Sequence, residues 1–283
     1  MRYKIVIDSC GDLTAELKKD ERIEVVPLEL QVGEYRTWDD ESFEQADFLK
    51  RVAACPECPK SACPSPERYM EAYVTEAEEV YVVTLSSNLS GSYNSAVLGK
   101  NLYQEKYGEK NIHIINSCSA SVGETQIALK IMELIEEGKS FEEIVKLAEA
   151  YRDEQDTYFV LDNLETLRKN GRLSNVKALV ASTLSIKPIM GATKEGTIVQ
   201  LGQSIGMKKA LQKMADMIAD KVTSEMKEPK EARIMVSHCN CPERAAHMKQ
   251  LLEERVTVRE ILIVDTAGIS SMYANDGGVI VTV

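Results

Sequence analysis

The sequence is poor in histidine and in positive charge. Its 283 residues include only three histidines, His113, His238 and His247, which are too scattered to predict a metal site. Lysine and arginine together number 34 against 45 acidic residues, so the formal net charge is −11. Because a phosphate backbone requires a basic surface, no nucleic-acid partner is expected.

Long apolar runs are also missing. No run approaches the roughly 20 residues that cross a bilayer, and the polar start of the chain does not have the form of a secretory signal. We therefore predict a cytoplasmic protein without an integral membrane segment.

Three common functional motifs are missing. There is no G-x-S-x-G turn to present a hydrolase serine, and neither G-x-x-x-x-G-K-[ST] nor G-x-G-x-x-G to bind a nucleotide. With so few histidines, general acid–base catalysis lacks an obvious residue. The sequence favours a binding protein that is not an enzyme and needs no cofactor.

The seven cysteines form no pattern typical of a disulfide framework. An odd number in a chain of intracellular character argues against structural disulfides. Cys55 and Cys58 form one C-x₂-C pair in a proline-rich loop that also holds Cys63, whereas zinc sites usually carry two such pairs at a defined separation. Free thiols are predicted, and a metal or redox site on these three cysteines is an alternative hypothesis.

Short β-rich runs alternate with longer helical patterns along the chain. Such alternation predicts right-handed βαβ units and a parallel sheet. The length predicts two domains, at residues 1–154 and 155–283. The predicted strands are 3–8, 23–32, 80–84, 112–115, 157–161, 186–191, 197–201, 233–238, 258–264 and 278–283, and the main helices are 90–107, 121–137, 140–152, 163–170, 176–183, 207–222 and 242–255, with a loop at 55–66.

Hydroxyl and amide side chains gather where the strand at 80–84 gives way to a helix. Ser87, Asn88 and Gly91 belong to this segment, which presents backbone N–H groups and the positive end of a helix dipole. The combination suits a carboxylate or phosphate, although a simple helix cap would account for Ser90 alone. Ser9 and Ser119 follow two other predicted strands. Ligands collect at the carboxyl ends of such strands, so one common site is predicted there.

Seven segments, in order along both halves, resemble the motifs of the DegV family. They are 7–9 (IDS), 61–67 (SACPSPE), 85–93 (LSSNLSGSY), 117–123 (SCSASVG), 163–167 (NLETL), 170–174 (NGRLS) and 184–189 (LSIKPI). The resemblance implies a two-domain α/β fold. Its N-terminal domain would be a three-layer α/β/α unit with a parallel sheet, and its C-terminal domain a two-layer α/β unit with a mixed sheet.

The resemblance also implies a carrier that buries a long-chain fatty acid, such as palmitate, stearate or oleate, between its domains. The carboxylate would bind to Ser61, Ser87 and Asn88. Some relatives present fatty acid to a fatty acid kinase, and Arg172 could dock such a partner. Two departures weaken that expectation. Ile205 stands where many relatives have arginine, and Tyr273 lies in a stretch that lacks the family's His before Gly-Pro-Gly.

One further hypothesis keeps the same site but changes the function. The protein could be an enzyme or binder that acts on another small carboxylated or phosphorylated ligand. Catalysis would then require an acid–base pair, for which the sequence offers Asp8 and His238.

Overall fold

The strands form from short β-branched runs, and most helices form where apolar residues recur every three or four positions. The computed structural model describes residues 2–174, 176 and 185–283. In the first half the strands are β1 (Tyr3–Asp8), β2 (Ile23–Val26), β3 (Glu29–Val32), β4 (Tyr35–Trp38), β5 (Lys60–Ala62), β6 (Glu79–Thr84) and β7 (Asn111–Asn116), and the helices are α1 (Gln45–Ala54), α2 (Pro66–Ala72), α3 (Ser92–Tyr107), α4 (Val122–Glu136) and α5 (Phe141–Glu154). In the second half the strands are β8 (Thr157–Val160), β9 (Ile186–Ala192), β10 (Ile198–Ile205), β11 (Arg233–His238), β12 (Glu260–Asp265) and β13 (Val279–Thr282), and the helices are α6 (Glu165–Lys169), α7 (Met207–Ser224), α8 (Pro242–Glu253) and α9 (Gly268–Ala274).

The first half is a three-layer α/β/α unit. Strands β2, β1, β6 and β7 lie side by side in that order and are all parallel. Helices α2 and α3 cover one face of the sheet, where Tyr69, Tyr73 and Ala96 are buried. Helices α4 and α5 cover the other face with Ile127, Ile144 and their neighbours. This arrangement confirms the predicted class of the N-terminal fold.

The second half contains a six-stranded mixed sheet in the order β10-β9-β8-β13-β11-β12. Helices α7 and α8 pack on one of its faces, where α7 buries an apolar stripe formed by Leu211, Met214, Ile218 and Val222. One helical layer on a mixed sheet confirms the predicted C-terminal class. The residue at which one domain ends and the next begins remains a prediction.

Helix α4 lies between the two sheets. Its Ile127 and Ile131 pack in the core beneath the parallel sheet, whereas its Val122 packs against Met235 and Val264 of the mixed sheet. The amide of Gln126 donates two hydrogen bonds of 2.9 Å to Thr282. The carboxyl ends of the parallel strands and the second face of the mixed sheet are thereby brought together.

Four predictions about individual elements need correction. The strand predicted at 23–32 is two strands separated at Pro27, and the second of them, β3, joins β4 and β5 in a small antiparallel sheet. The predicted loop at 55–66 therefore contains strand β5. The helix predicted from residue 90 begins at Ser92, because the Ser90 side chain bonds back to Ser92. Helix α9 was not predicted. The helix predicted at 176–183 lies outside the described residues except for Val176.

Candidate functional site

An apolar cavity lies between the carboxyl ends of the parallel strands and the mixed sheet. The space between its walls measures about 750 Å³, including the part that opens to solvent. The walls are supplied by the segments that follow β1, β6 and β7, by strands β8, β9, β10 and β13 of the mixed sheet, and by helices α6 and α9. The apolar lining consists mainly of Leu85, Leu89, Phe159, Leu161, Leu167, Ile198, Ile269 and Ile280.

Most hydroxyl groups in the cavity wall are already bonded to protein atoms. The Ser119 and Thr157 hydroxyls lie 2.6 Å apart. The Ser121 hydroxyl donates to the Asp12 carboxylate and lies 2.6 Å from the Ser237 hydroxyl. The Ser270 hydroxyl donates to the Cys10 carbonyl oxygen at 3.2 Å. Because these polar atoms are engaged, the wall offers chiefly carbon atoms to a ligand.

Polar groups converge at one place on this cavity. The Ser61 hydroxyl, on β5, lies 3.1 Å from the Tyr273 hydroxyl on α9. The guanidinium carbon of Arg172 lies 5.7 Å from the centre of the Tyr273 ring, and both Arg172 and Tyr273 line the cavity. Burial raises the pKa of Tyr273, so its hydroxyl stays neutral and can donate a hydrogen bond.

Arg172 is the basic residue of the described cavity lining. Its Nε donates to the Leu89 carbonyl oxygen at 3.1 Å, and its Nη1 donates to the Asn170 carbonyl oxygen at 2.5 Å. Within the described ranges, no acidic side chain comes within 4.0 Å of its guanidinium nitrogens. These neutral acceptors orient the side chain and leave its charge available to an anion.

The predicted anion-binding turn makes contacts inside the protein. Ser87 and Asn88 are exposed and are not part of the cavity wall. The Ser87 hydroxyl accepts a hydrogen bond from the Asn116 amide at 2.9 Å, and the Asn88 amide donates to the Glu195 carbonyl oxygen at 2.6 Å. Gly91 leaves room for Cys63, whose Sγ would lie 2.9 Å from a Cβ at this position. Carboxylate binding by these three residues therefore remains a prediction.

The other two predicted strand-tip serines have different surroundings. The Ser9 hydroxyl is buried and accepts a hydrogen bond from the Leu28 backbone N–H at 3.0 Å, which ties β1 to the start of β3. Ser119 is part of the cavity wall. The structure thus brings Ser119, Arg172 and, through Tyr273, Ser61 to the cavity, but not Ser9.

The proposed acid–base pair does not meet at the cavity. Asp8 is buried and accepts hydrogen bonds from the backbone N–H groups of Cys10 and Leu85, at 3.1 and 2.9 Å. Nε2 of His238 lies 3.4 Å from Asp265, and Nδ1 of His238 accepts a bond from the Cys241 N–H. Neither Asp8 nor His238 is among the described cavity residues.

The cysteines are free thiols wherever they lie. Cys55 ends α1, Cys58 accepts a hydrogen bond from the Asn170 amide at 3.4 Å, and Cys63 is exposed beside α3. In the ranges that the structure describes, no group of three histidine, cysteine or acidic side chains is placed to hold a metal ion. The same ranges contain no helix with the length and apolar character to cross a bilayer.

Two parts of the site were missed from the sequence. The short apolar run of β8 predicts a strand, but not that Phe159 faces a cavity. Tyr273 stands in the stretch that departs from the DegV pattern, and that departure was the available signal. The contact between Tyr273 and Ser61 could not be read from the sequence, because the two residues are more than 200 positions apart and meet only when α9 packs beside β5.

Comparison with known proteins gives consistent results. The family model described as "Uncharacterised protein, DegV family" matches residues 2–282. A curated DegV domain-containing protein of Streptococcus pneumoniae (strain ATCC BAA-255 / R6) is 34% identical over 256 residues, which cover 90% of this chain and 88% of that protein.

Two solved structures extend the likeness to three dimensions. A DegV-family protein from Ruminococcus gnavus, refined with vaccenic acid, is 55% identical, has a TM-score of 0.96 and is covered over 99% of its length by all of this chain. The Fatty Acid Kinase (Fak) B3 protein of Streptococcus pneumoniae, loaded with linoleic acid, is 31% identical, with a TM-score of 0.85 and coverage of 100% and 99%. The fold, the ordered motifs and the match over nearly every residue lead to one conclusion: the chain belongs to the DegV family.

Proposed function

We propose that the protein binds one long-chain fatty acid, such as palmitate, stearate or oleate, without catalysing a reaction. The observation that carries this proposal is an apolar cavity whose wall hydroxyls are bonded to protein atoms and in whose wall Arg172 and Tyr273 meet, with the Ser61 hydroxyl in contact with that of Tyr273. A long apolar molecule with one anionic end matches a cavity that has an apolar wall and polar groups at one place.

The acyl chain supplies most of the binding free energy in this proposal. Each methylene moved from water to an apolar wall contributes about 0.8 kcal/mol. A polar ligand would leave its own hydrogen-bonding groups unpaired against Phe159, Ile198 and Ile280. Relatives in this family, including those from Ruminococcus gnavus and Streptococcus pneumoniae, hold vaccenic and linoleic acid.

The carboxylate is proposed to lie at the Ser61 end of the cavity. There the hydroxyls of Ser61 and Tyr273 donate hydrogen bonds, and the Arg172 guanidinium supplies the opposite charge. Charge-assisted hydrogen bonds are the stronger kind, which offsets the cost of removing the carboxylate from water. Ser61 is one of the residues that the family resemblance predicts for this role.

The first experiment is mass spectrometry of an organic extract of the purified protein. We expect one C16–C18 fatty acid per chain, or stoichiometric uptake of added palmitate or oleate. An empty extract together with no uptake of either acid would refute the proposal.

A matched pair of tryptophan variants tests where the chain lies. Ile280→Trp fills the cavity and is expected to abolish uptake of palmitate, because Ile280 lines the cavity. Leu98→Trp changes an exposed side chain of α3 and should leave uptake unchanged. Equal uptake by the two folded variants would place the ligand elsewhere.

The Arg172 charge has its own test. Arg172→Met should lower the affinity for palmitate roughly 10- to 100-fold, as expected for a lost charge-assisted hydrogen bond, and should leave the affinity for methyl palmitate unchanged. Arg168→Met, at an exposed pair with Glu165, is the control. An equal loss for acid and ester would contradict a head-group role.

We also propose that the bound acid is presented to a fatty acid kinase. A relative of this chain is named as the B3 protein of a Fatty Acid Kinase. Ile205, where the family resemblance implies an arginine, is 68% exposed at the end of β10, so this chain lacks that positive charge on the surface there. ATP-dependent formation of acyl phosphate from the oleate-loaded protein and a kinase subunit of the same bacterium would support this step, and no conversion would contradict it.

A further inference from the structure

Helix α9 forms one wall of the cavity but cannot be stable alone. It contains seven residues, and helices this short have marginal stability in water. Its residues Ile269, Ser270, Tyr273 and Ala274 line the cavity. The position of this wall must therefore come from contacts with the rest of the protein.

Two buried aspartates receive three successive backbone N–H groups at the start of α9. The Ala267 N–H donates to Oδ1 of Asp12 at 2.6 Å. The N–H groups of Gly268 and Ile269 donate to Oδ1 and Oδ2 of Asp39, at 2.6 and 2.8 Å. Both aspartates lie in the first 40 residues of the chain, so the N-terminal half fixes this helix of the C-terminal half.

The fit between Asp39 and α9 is close. A Cβ at Gly268 would lie 2.6 Å from Oδ1 of Asp39 and 2.6 Å from the Leu30 side chain, so no side chain fits there. The Gln45 amide, on α1, adds hydrogen bonds of 2.9 Å to the Thr266 carbonyl oxygen and 3.0 Å to the Ser271 hydroxyl. Together these groups allow α9 little freedom to shift.

Carboxylates are a costly choice for this task. Asp39 is 3% exposed and Asp12 is fully buried, and no basic side chain of the described ranges lies within 4.0 Å of either. Burial raises the pKa of Asp39 to about 7 and that of Asp12 to about 6. A serine or asparagine would cap a helix without burying a charge. What the carboxylates add is a second acceptor atom. Asp39 uses both of its oxygens on successive N–H groups of α9, which fixes the direction of the helix as well as its end, and the second oxygen of Asp12 accepts from the Ser121 hydroxyl.

We propose that Asp39 and Asp12 are positioning residues for the ligand, because they hold α9 where the Tyr273 hydroxyl meets Ser61 and the fatty acid carboxylate. This inference rests on the proposed function and assigns it two residues that do not touch the ligand. Their effect reaches the head group through the helix axis and Tyr273.

A double-mutant cycle tests the route. Affinity for palmitate is measured at pH 8, above the pKa of both aspartates, for the wild type, Asp39→Asn, Tyr273→Phe and the double variant. Tyr273→Phe should lower the affinity roughly tenfold or more, and Asp39→Asn should do the same. If Asp39 acts through Tyr273, the double variant loses little more than either single variant.

Other outcomes are equally informative. Losses that multiply in the double variant, or an Asp39→Asn protein with wild-type affinity, would overturn the inference. Failure of the wild type to bind palmitate would instead refute the proposed function. Ser140→Ala is the matched control, because it removes a helix cap of α5 outside the cavity lining and should lower stability without lowering affinity. If Asp39→Asn does not fold, Gln45→Met takes its place in the cycle with the same expectations.

Discussion

Glu124 and Asp8 form a pair of buried acids in the centre of the N-terminal half. Glu124 lies on α4 and is 0% exposed. Burial raises its pKa well above the ordinary value, and the nearby Asp8 carboxylate raises it further. Asp8 also has a raised pKa, although the N–H groups of Leu85 and Cys10 oppose the effect of burial. Burial and the neighbouring Asp8 charge therefore favour the protonated form of the Glu124 carboxyl in the folded protein.

Replacing Glu124 by glutamine tests this protonation state. Because the pKa of Glu124 is higher in the folded than in the unfolded protein, the contribution of this group to wild-type stability falls as the pH rises above the ordinary value near 4.5. Glu124→Gln lacks this contribution. The free energy of unfolding of the variant, minus that of the wild type, should therefore increase between pH 5 and 8, by up to about 1.4 kcal/mol per pH unit.

Denaturant unfolding at several pH values measures the difference. Glu71→Gln, at an exposed position on α2, serves as the control and should follow the wild type throughout. Parallel curves for Glu124→Gln and the wild type would mean that Glu124 is ionised in the folded protein.

At the scale of elements, the β9–β10 hairpin lines the cavity and connects the two halves of the protein. Its turn reaches the strand tips of the N-terminal half, where the Ser86 hydroxyl donates to the Gly196 carbonyl oxygen at 2.8 Å and the Asn88 amide donates to that of Glu195. Gly196 has a φ of +80°, and a Cβ there would lie 2.3 Å from the Ser86 hydroxyl. A glycine is required at this contact for both reasons.

The hydrogen bond from Asn88 to the turn of this hairpin predicts a structural role for Asn88. Asn88→Ala should lower the free energy of unfolding by about 1 kcal/mol and speed amide hydrogen exchange in residues 193–197. Ser87→Ala, at the exposed neighbour that bonds to Asn116, should leave exchange in the hairpin unchanged. Loss of palmitate binding by Asn88→Ala with unchanged exchange would instead support the carboxylate contact that the family resemblance predicts.

Elements with a local sequence pattern were predictable from the sequence, whereas elements held in place by residues far away in the sequence were not. The stripe of α7 and the capping box of Ser140 and Glu143 are local patterns, and both are present. Helix α9 depends on Asp39, which is 229 residues away from Gly268 in the sequence. The turn at Ser87 and Asn88 was correctly identified as rich in hydrogen-bonding groups, but the partners of those groups lie elsewhere in the chain.

At the scale of the whole molecule, an ion-pair network joins the two halves. Arg233, on β11, contacts Glu133 of α4 at 2.5 Å and Glu260 of β12 at 2.7 Å, and Arg259 also contacts Glu133 at 2.7 Å. Burial alone would raise the pKa of Glu133, but the hydrogen bonds and charges of Arg233 and Arg259 lower it. The side chain of Arg233 is 8% exposed, so this pair is screened less than a surface pair.

Removing the positive charge of Arg233 should weaken the contact between the two halves of the protein. Arg233→Met is expected to lower the free energy of unfolding by about 2 kcal/mol, less than for a fully buried pair because Glu133 keeps Arg259 and some solvent contact. Arg168→Met, at an exposed pair, should change it by less than about 0.5 kcal/mol. Urea unfolding of both variants gives the comparison, and equal effects would show that the network adds no stability.

The position of α4 limits how the chain could have been assembled or divided. This helix is buried on the side of the parallel sheet by Ile127 and Ile131 and at its start by Met235 and Val264. A fragment that ended after α5 would leave Val122 and Gln126 facing water, and the complementary fragment would expose the apolar face that they cover. The two halves therefore depend on each other for burial of their apolar surfaces, and we expect either half produced alone to aggregate.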